Sequence, residues 1–161
     1  MKKCCVVGLG YIGLPTAALL ADAGHNVIGV DINKSIVDQV NKGTCHIEEK
    51  GLKEIIFNTV NCNKLLAKES PEESDVFIIT VPTPIFEEEE KLPTPNLNIL
   101  FKAIESITKV LKKNNLLLIE STSPIGTTEK VASLIFEKTG LTKVDIHIAY
   151  CPERVIPGNT I

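Results

Sequence analysis

The sequence has no apolar run near the ~20 residues of a membrane span, no C-x-x-C pair and no excess of basic charge. The first absence excludes a spanning helix. The second removes the usual cysteine frame of a zinc site. The five cysteines (Cys4, Cys5, Cys45, Cys62, Cys151) are also odd in number, which argues against a disulfide framework. The third, a net charge of −3, leaves nothing to suggest a nucleic-acid or anionic-membrane surface. His25, His46 and His147 lack metal-ligand spacing and read as structural or surface residues. Cys4 and Cys5 fall in the first apolar run and read as small apolar residues, which fits a reducing cytoplasm. The chain enters a strand at once, leaving no room for a signal peptide. Arginine is nearly absent too: of 17 basic residues, Arg154 is the one arginine.

What is present suits one domain with a real core: 161 residues, 43% hydrophobic and 23% charged. The chain is organised around Lys3 to Asp31, which reads strand, glycine turn, helix, strand. Gly8, Gly10 and Gly13 give G-x-G-x-x-G after the β-branched pair Val6-Val7, and the turn opens an alanine-rich helix. Gly8 permits the tight turn, Gly10 lets a pyrophosphate approach the backbone, and Gly13 lets helix and sheet pack closely. The helix N-terminus offers free N–H groups and the positive end of its dipole to phosphates. Asp31 ends the second apolar run, where a carboxylate accepts from a ribose diol and repels a 2′-phosphate. That pattern points to NAD rather than NADP.

Further along, helices are expected over about Ile12–Ala23, Lys34–Asn41 (capped by Asn33), Leu52–Asn58 and Asn96–Lys113. In the last, Leu97, Leu100, Ile104, Ile107 and Leu111 form one apolar stripe. Ser70-Pro71-Glu72-Glu73 reads as a short helix start, and Thr127 or Thr128 as the cap of a helix running to about Lys138. Glu87–Lys91 reads as a solvated loop tip. Strands are expected at Asn26–Asp31, Leu65–Ala67, Val76–Val81, Leu116–Ser121 and Val144–Tyr150. The alternation predicts an α/β Rossmann-type doubly wound parallel sheet of about six strands, order 3-2-1-4-5-6.

In such a sheet, ligands bind beyond the carboxyl ends of the strands. The residues just past those ends are Gly8–Gly13, Asp31, Pro82-Thr83-Pro84, Ser121-Thr122-Ser123-Pro124 and Pro152-Glu153-Arg154. Arg154 offers a planar fork suited to phosphate or carboxylate. Read as bare residues, Glu153 is either a solvated acid or holds a water or substrate hydroxyl. Thr83 and Thr122 either cap turns or bond to a cofactor or reacting oxygen.

Four segments together resemble the UDP-glucose/GDP-mannose dehydrogenase family: VGLGYIGLPTAALLADAGHNVIGVDIN, VPTP, ESTSPIGTTEK and AYCPERVIPGN. The resemblance covers the whole chain, and the CPERVIPG form looks most like the members acting on UDP-N-acetyl-D-mannosamine. It implies two NAD-dependent oxidations of a sugar C6 hydroxyl to a carboxylate, through a cysteine thiohemiacetal and thioester. It further implies that Gly8, Gly10, Tyr11, Ile12, Gly13, Asp31, Thr83 and Thr122 bind NAD. Thr122 and Glu153 would position water and handle protons, and Arg154 and Val155 would touch the UDP-sugar. Family members often carry a basic residue where this chain has Ile36, with Lys34 nearby. The family's nucleophilic cysteine and essential lysine would lie beyond residue 161, so the resemblance implies an NAD-binding domain followed by a central helix and a UDP-binding domain. The longer protein would be a homodimer or higher oligomer and the present chain a monomer, inactive alone, with apolar surface exposed where that helix packs. Two other readings stay open: the N-terminal domain of a β-hydroxyacid dehydrogenase, and a non-enzymatic NAD-sensing module.

Overall fold

The computed structural model of the chain describes residues 1–86 and 94–155. The charge run at 87–91 and the tail from 156 lie outside the described residues. Six parallel strands form the main sheet: β1 (Lys3–Val7), β2 (Asn26–Val30), β3 (Leu65–Lys68), β4 (Val76–Ile79), β5 (Leu116–Ile119) and β6 (His147–Tyr150). Their order is β3-β2-β1-β4-β5-β6, the doubly wound order expected. The helices are α1 (Gly13–Asp22), α2 (Lys34–Asn41), α3 (Leu52–Asn61), α4 (Asn98–Ile107) and α5 (Thr127–Thr139). A two-residue ribbon pairs Ile85–Phe86 with Thr94–Pro95.

The pleat sorts the strands onto two cores, because successive side chains point to opposite faces. Cys4, Val6, Val27 and Leu65 pack with Leu14, Ala17 and Ala18 of α1 and Ile56 of α3. Cys5, Val7, Ile28, Phe77 and Ile79 pack with Leu100 and Ile104 of α4 and Val131 and Ile135 of α5. Both cysteines are buried, and burial pushes the Cys5 thiol up to about 12, so it stays a small neutral packing group. On α4, Leu100, Ile104 and Ile107 are fully buried, each worth roughly 1.5–3 kcal/mol of transfer free energy.

Three expectations need correction. Ser70–Glu73 forms no helix; the segment is irregular. Chain geometry explains this: β3 and β4 are three strand spacings apart, about 14 Å sideways and about 13 Å along the strand. Seven connecting residues span about 10 Å if helical and about 24 Å if extended, so they must run extended. Glu72 instead pairs with Lys68 and, at 3.2 Å, with Lys3; Lys68 first, then Lys3, hold its carboxyl below the usual range. Neither Thr127 nor Thr128 caps α5. Gly126, in the left-handed region at φ 87°, occupies that position, and the Thr127 hydroxyl donates backwards to the Pro124 carbonyl at 2.8 Å. The fourth helix is also shorter than its stripe, ending at Ile107. Beyond it Asn115 takes over, accepting from the Lys112 N–H at 2.7 Å and donating to the Ser74 carbonyl at 2.9 Å.

At the sheet edge, the last strand leaves His147, Ala149 and Tyr150 exposed; Val144, three residues before it, and Ile125, in the turn before α5, are exposed too. The turn before β6 is held by Asp145, which accepts from the Thr142 N–H at 3.0 Å and hydroxyl at 2.7 Å and pairs with Lys113 at 2.8 Å. Lys113 first, then Thr142, hold its carboxyl down at about 2. A depressed carboxylate stabilises the fold above its unfolded value of about 4, and that contribution is lost as pH falls towards the folded value. Asp145→Asn is therefore expected to melt below the parent at neutral pH. The difference should close between about pH 4 and pH 2 in paired thermal melts; a gap independent of pH would show that the charge is not what matters.

Candidate functional site

The glycine turn follows β1. Gly8 has φ +97°, and its N–H donates to the Val30 carbonyl at 2.8 Å, tying the turn to β2. Beside it, the Thr80 hydroxyl at the end of β4 reaches the carbonyls of Val7 at 3.0 Å and Gly8 at 2.7 Å. Gly13 begins α1 in direct contact with this knot: a Cβ there would lie 1.8 Å from the Gly8 carbonyl oxygen and 2.3 Å from Thr80 Oγ1. Gly10 differs, since a Cβ added to it meets nothing within 4 Å. Among the described residues, the backbone N–H groups of Gly10, Tyr11 and Ile12 have no hydrogen-bond partner. Open space over a glycine backbone, with free N–H groups at a helix N-terminus, is the physical requirement for holding a pyrophosphate.

Asp31 stands at the end of β2. Its Oδ2 accepts from the Leu9 N–H at 2.9 Å and its Oδ1 from the Asn33 N–H at 2.8 Å. The carboxylate thus shapes the turn, a structural task its position in the sequence does not reveal. Each oxygen keeps a lone pair for a diol. Lys34 is exposed and pairs with Asp38 at 3.8 Å and Glu69 at 3.6 Å, so it is already engaged on the surface.

On the other side of the turn the strand ends close a cleft of about 380 Å³. Gly10, Tyr11 and Ile12 form one wall; Thr80 to Thr83 after β4, and Glu120 to Thr122 after β5, form the other; Glu153 closes it from beyond β6. The Thr83 hydroxyl donates to the Thr122 carbonyl at 2.7 Å, joining two residues far apart in sequence. Ser121 is buried, and its hydroxyl donates to the Val81 carbonyl at 2.7 Å, fixing β5 against β4. Glu153 accepts from the Val155 N–H at 2.6 Å. Glu120 is half-buried, and burial first, then the nearby Glu153 charge, push its carboxyl up, while a hydrogen bond from the Thr16 hydroxyl acts in the opposite sense.

Of the residues singled out from the sequence, Gly10, Tyr11, Ile12, Thr83, Thr122 and Glu153 line the cleft together, and Gly8, Gly13 and Asp31 build the turn at its mouth. Arg154 is exposed and not among the lining residues. Ser121, one of the strand-end residues, lines the cleft as well, whereas Thr80 and Glu120 were missed. The signal was there, in the polar residues that end the apolar runs VFII and LLLI. Among the described residues no cluster of three metal-ligating side chains occurs, and no helix is long and apolar enough to cross a membrane. A larger open hollow of about 600 Å³ lies between the end of α2 and α3, lined by Lys42, Gly43, Phe57 and neighbours. It gathers none of the strand-end residues.

Residues 2–161 match the sequence model of the UDP-glucose/GDP-mannose dehydrogenase family, NAD binding domain. A UDP-N-acetyl-D-mannosamine dehydrogenase of Campylobacter jejuni is 50% identical, the match covering 99% of this chain and 40% of that protein. Its counterpart in Escherichia coli K12 is 44% identical over 97% of this chain and 38% of that protein. The native structure of the UDP-N-acetyl-mannosamine dehydrogenase of Staphylococcus aureus superposes with a TM-score of 0.90 at 41% identity, covering 97% of this chain and 38% of that one. A 3-hydroxyisobutyrate dehydrogenase of Mycobacterium tuberculosis reaches a TM-score of 0.60 at 17% identity, a likeness of fold alone. The chain spans about two fifths of the length of the curated relatives it matches. The chain thus belongs to the UDP-glucose/GDP-mannose dehydrogenase family as its NAD-binding domain.

Proposed function

We propose that this chain is the cofactor half of an enzyme that oxidises the C6 hydroxyl of a UDP-sugar to a carboxylate, with UDP-N-acetyl-D-mannosamine as substrate. The observation that carries the reading is the meeting of Thr83, Thr122 and Glu153 across the cleft from the free N–H groups of the glycine turn. The names of the relatives supply the substrate. Bound NAD supplies the hydride acceptor for each of the two oxidations. Gly8, Gly10 and Gly13 shape the cradle, Tyr11 and Ile12 present N–H groups to the pyrophosphate, and Asp31 takes the adenosine ribose. Thr83 and Thr122 line the other half of the cofactor. Glu153 has an acceptor oxygen available for a water or hydroxyl, while its other contact fixes the backbone at Val155. Arg154, exposed beside it, and Val155 face the sugar nucleotide.

The reading includes a central helix and a UDP-binding domain carrying the nucleophilic cysteine and a lysine. It also includes a cytoplasmic location, assembly of the whole protein as a homodimer or higher, and no nucleic-acid or membrane partner. The free cysteines and the exposed face at β6 support the location and the further packing respectively.

Stoichiometry tests it. This chain joined to the segments that complete it is expected to release two NADH per uronate formed from UDP-N-acetyl-D-mannosamine. The 161-residue chain is expected to bind NAD and turn over nothing. Turnover by the short chain, or one NADH per sugar, would overturn the proposal.

A further inference from the structure

The cleft has a charge pattern that the roles above do not use. With the pyrophosphate on the N–H groups of Gly10 to Ile12 and the adenosine ribose at Asp31, the second half of the dinucleotide extends towards the ends of β4 and β5. Among the described residues, the lining there holds two carboxylates, Glu120 and Glu153, and no lysine or arginine. Glu120 sits between the end of β5 and the first turn of α1, near enough to Glu153 for the two charges to oppose each other. Other polar groups lining the space are Tyr11 from the turn before α1, Thr80 and Thr83 after β4, and Ser121 and Thr122 after β5; Thr16 of α1 bonds to Glu120, and Arg154, next to Glu153, is exposed.

A nicotinamide ring carries a positive charge when oxidised and none when reduced. A pair of carboxylates, one half-buried, without a cation among the cleft's lining residues, distinguishes these two states. We propose that Glu120, together with Glu153, forms an anionic wall that holds the cationic ring of NAD+ in preference to the neutral ring of NADH. Reduction then removes the attraction and the spent cofactor leaves. The inference rests on the cleft being the nicotinamide half of the site. It gives the proposed enzyme a way to pass two cofactors through one site for each sugar. Glu120 acts here by discriminating between cofactor states, and no proton transfer is asked of it.

The test is equilibrium binding of NAD+, NADH and ADP-ribose to the 161-residue chain and to Glu120→Gln, by calorimetry and NADH fluorescence. ADP-ribose makes the pyrophosphate and ribose contacts but has no ring. The variant is expected to weaken NAD+ about fivefold or more, a conservative share of the Coulomb attraction between unit charges several ångströms apart at an effective dielectric of about 20. NADH and ADP-ribose should change less than about twofold, since neither places a cation against the wall. Equal weakening of all three ligands would mean that Glu120 merely braces α1 through Thr16, and would overturn the proposal. So would an unchanged NAD+ affinity. Failure of the parent chain to bind any of the three would overturn the site reading itself, a distinguishable result. Should Glu120→Gln fail to fold by circular dichroism, Glu153→Gln with the same three ligands decides, with the same expected and overturning outcomes.

Discussion

Gly13→Ala is expected to destabilise the fold severely, while Gly10→Ala, three residues away in the same motif, leaves the fold intact and weakens cofactor binding. At Gly13 the added Cβ would sit 1.8 Å from the Gly8 carbonyl oxygen. That oxygen cannot retreat, because it accepts from Thr80 and belongs to a turn tied to β2 through the Gly8 N–H. Helix α1 must therefore lift off the sheet, although its Leu14, Ala17 and Ala18 are fully buried against β1, β2 and β3. Overpacking against a rigid wall costs typically 1–3 kcal/mol and here about 3 or more, against a total stability of about 5–15 kcal/mol. For a domain of this size that is a fall of about 10 °C in the melting temperature. At Gly10 no atom lies within 4 Å, so the methyl projects into the open space proposed for the pyrophosphate. The melt should stay within about 2 °C of the parent while NAD affinity falls about tenfold or more, since the backbone N–H groups can no longer be approached. Circular dichroism melts and calorimetry on both variants check the pair. Equal effects at the two positions would show that the motif does not divide its labour in this way.

The close packing at Gly13 was legible in the sequence, and so was the strand order, because both follow from short-range pattern. The Asn33 side chain accepts from the Ser35 N–H at 3.0 Å, and Gly43 takes φ +71°, so the second helix begins and ends where its flanking residues direct. The meeting of Thr83 and Thr122 followed from placing every strand's carboxyl end on one edge. What escaped was set by long-range geometry. Ser70–Glu73 has the composition of a helix start, but its path across two intervening strands demands extended chain. Thr127 is a good capping residue, but a left-handed glycine before it took the position and turned its hydroxyl back to Pro124. Thr80 and Glu120 escaped for a related reason. Each is a single polar residue ending an apolar strand, and its importance comes from what another segment brings opposite: the Gly8 carbonyl for Thr80, Thr16 and Glu153 for Glu120.

Asp31→Asn is expected to weaken NAD about tenfold or more and to narrow the preference over NADP, with a measurable loss of fold stability. The stability term is the one the sequence hides. As an aspartate, residue 31 uses one oxygen for the Leu9 N–H and the other for the Asn33 N–H. An asparagine has one acceptor oxygen, so its amide nitrogen must face one of those donors. The lost bond and the misplaced donor together cost about 1–2 kcal/mol, read as a lower melting temperature without ligand. The affinity term has a different origin: an ionised acceptor makes stronger hydrogen bonds to a ribose diol than a neutral amide does. The selectivity term has a third, the charge itself, which repels a 2′-phosphate only while it is present. NADP should therefore lose less affinity than NAD, and ADP-ribose should follow NAD because both carry the same free ribose. If the melt drops while NAD and NADP binding stay as in the parent, Asp31 is a bracket for the glycine turn and nothing more. If NAD falls and the ratio to NADP does not move, the carboxylate touches the ribose but does not choose between the cofactors.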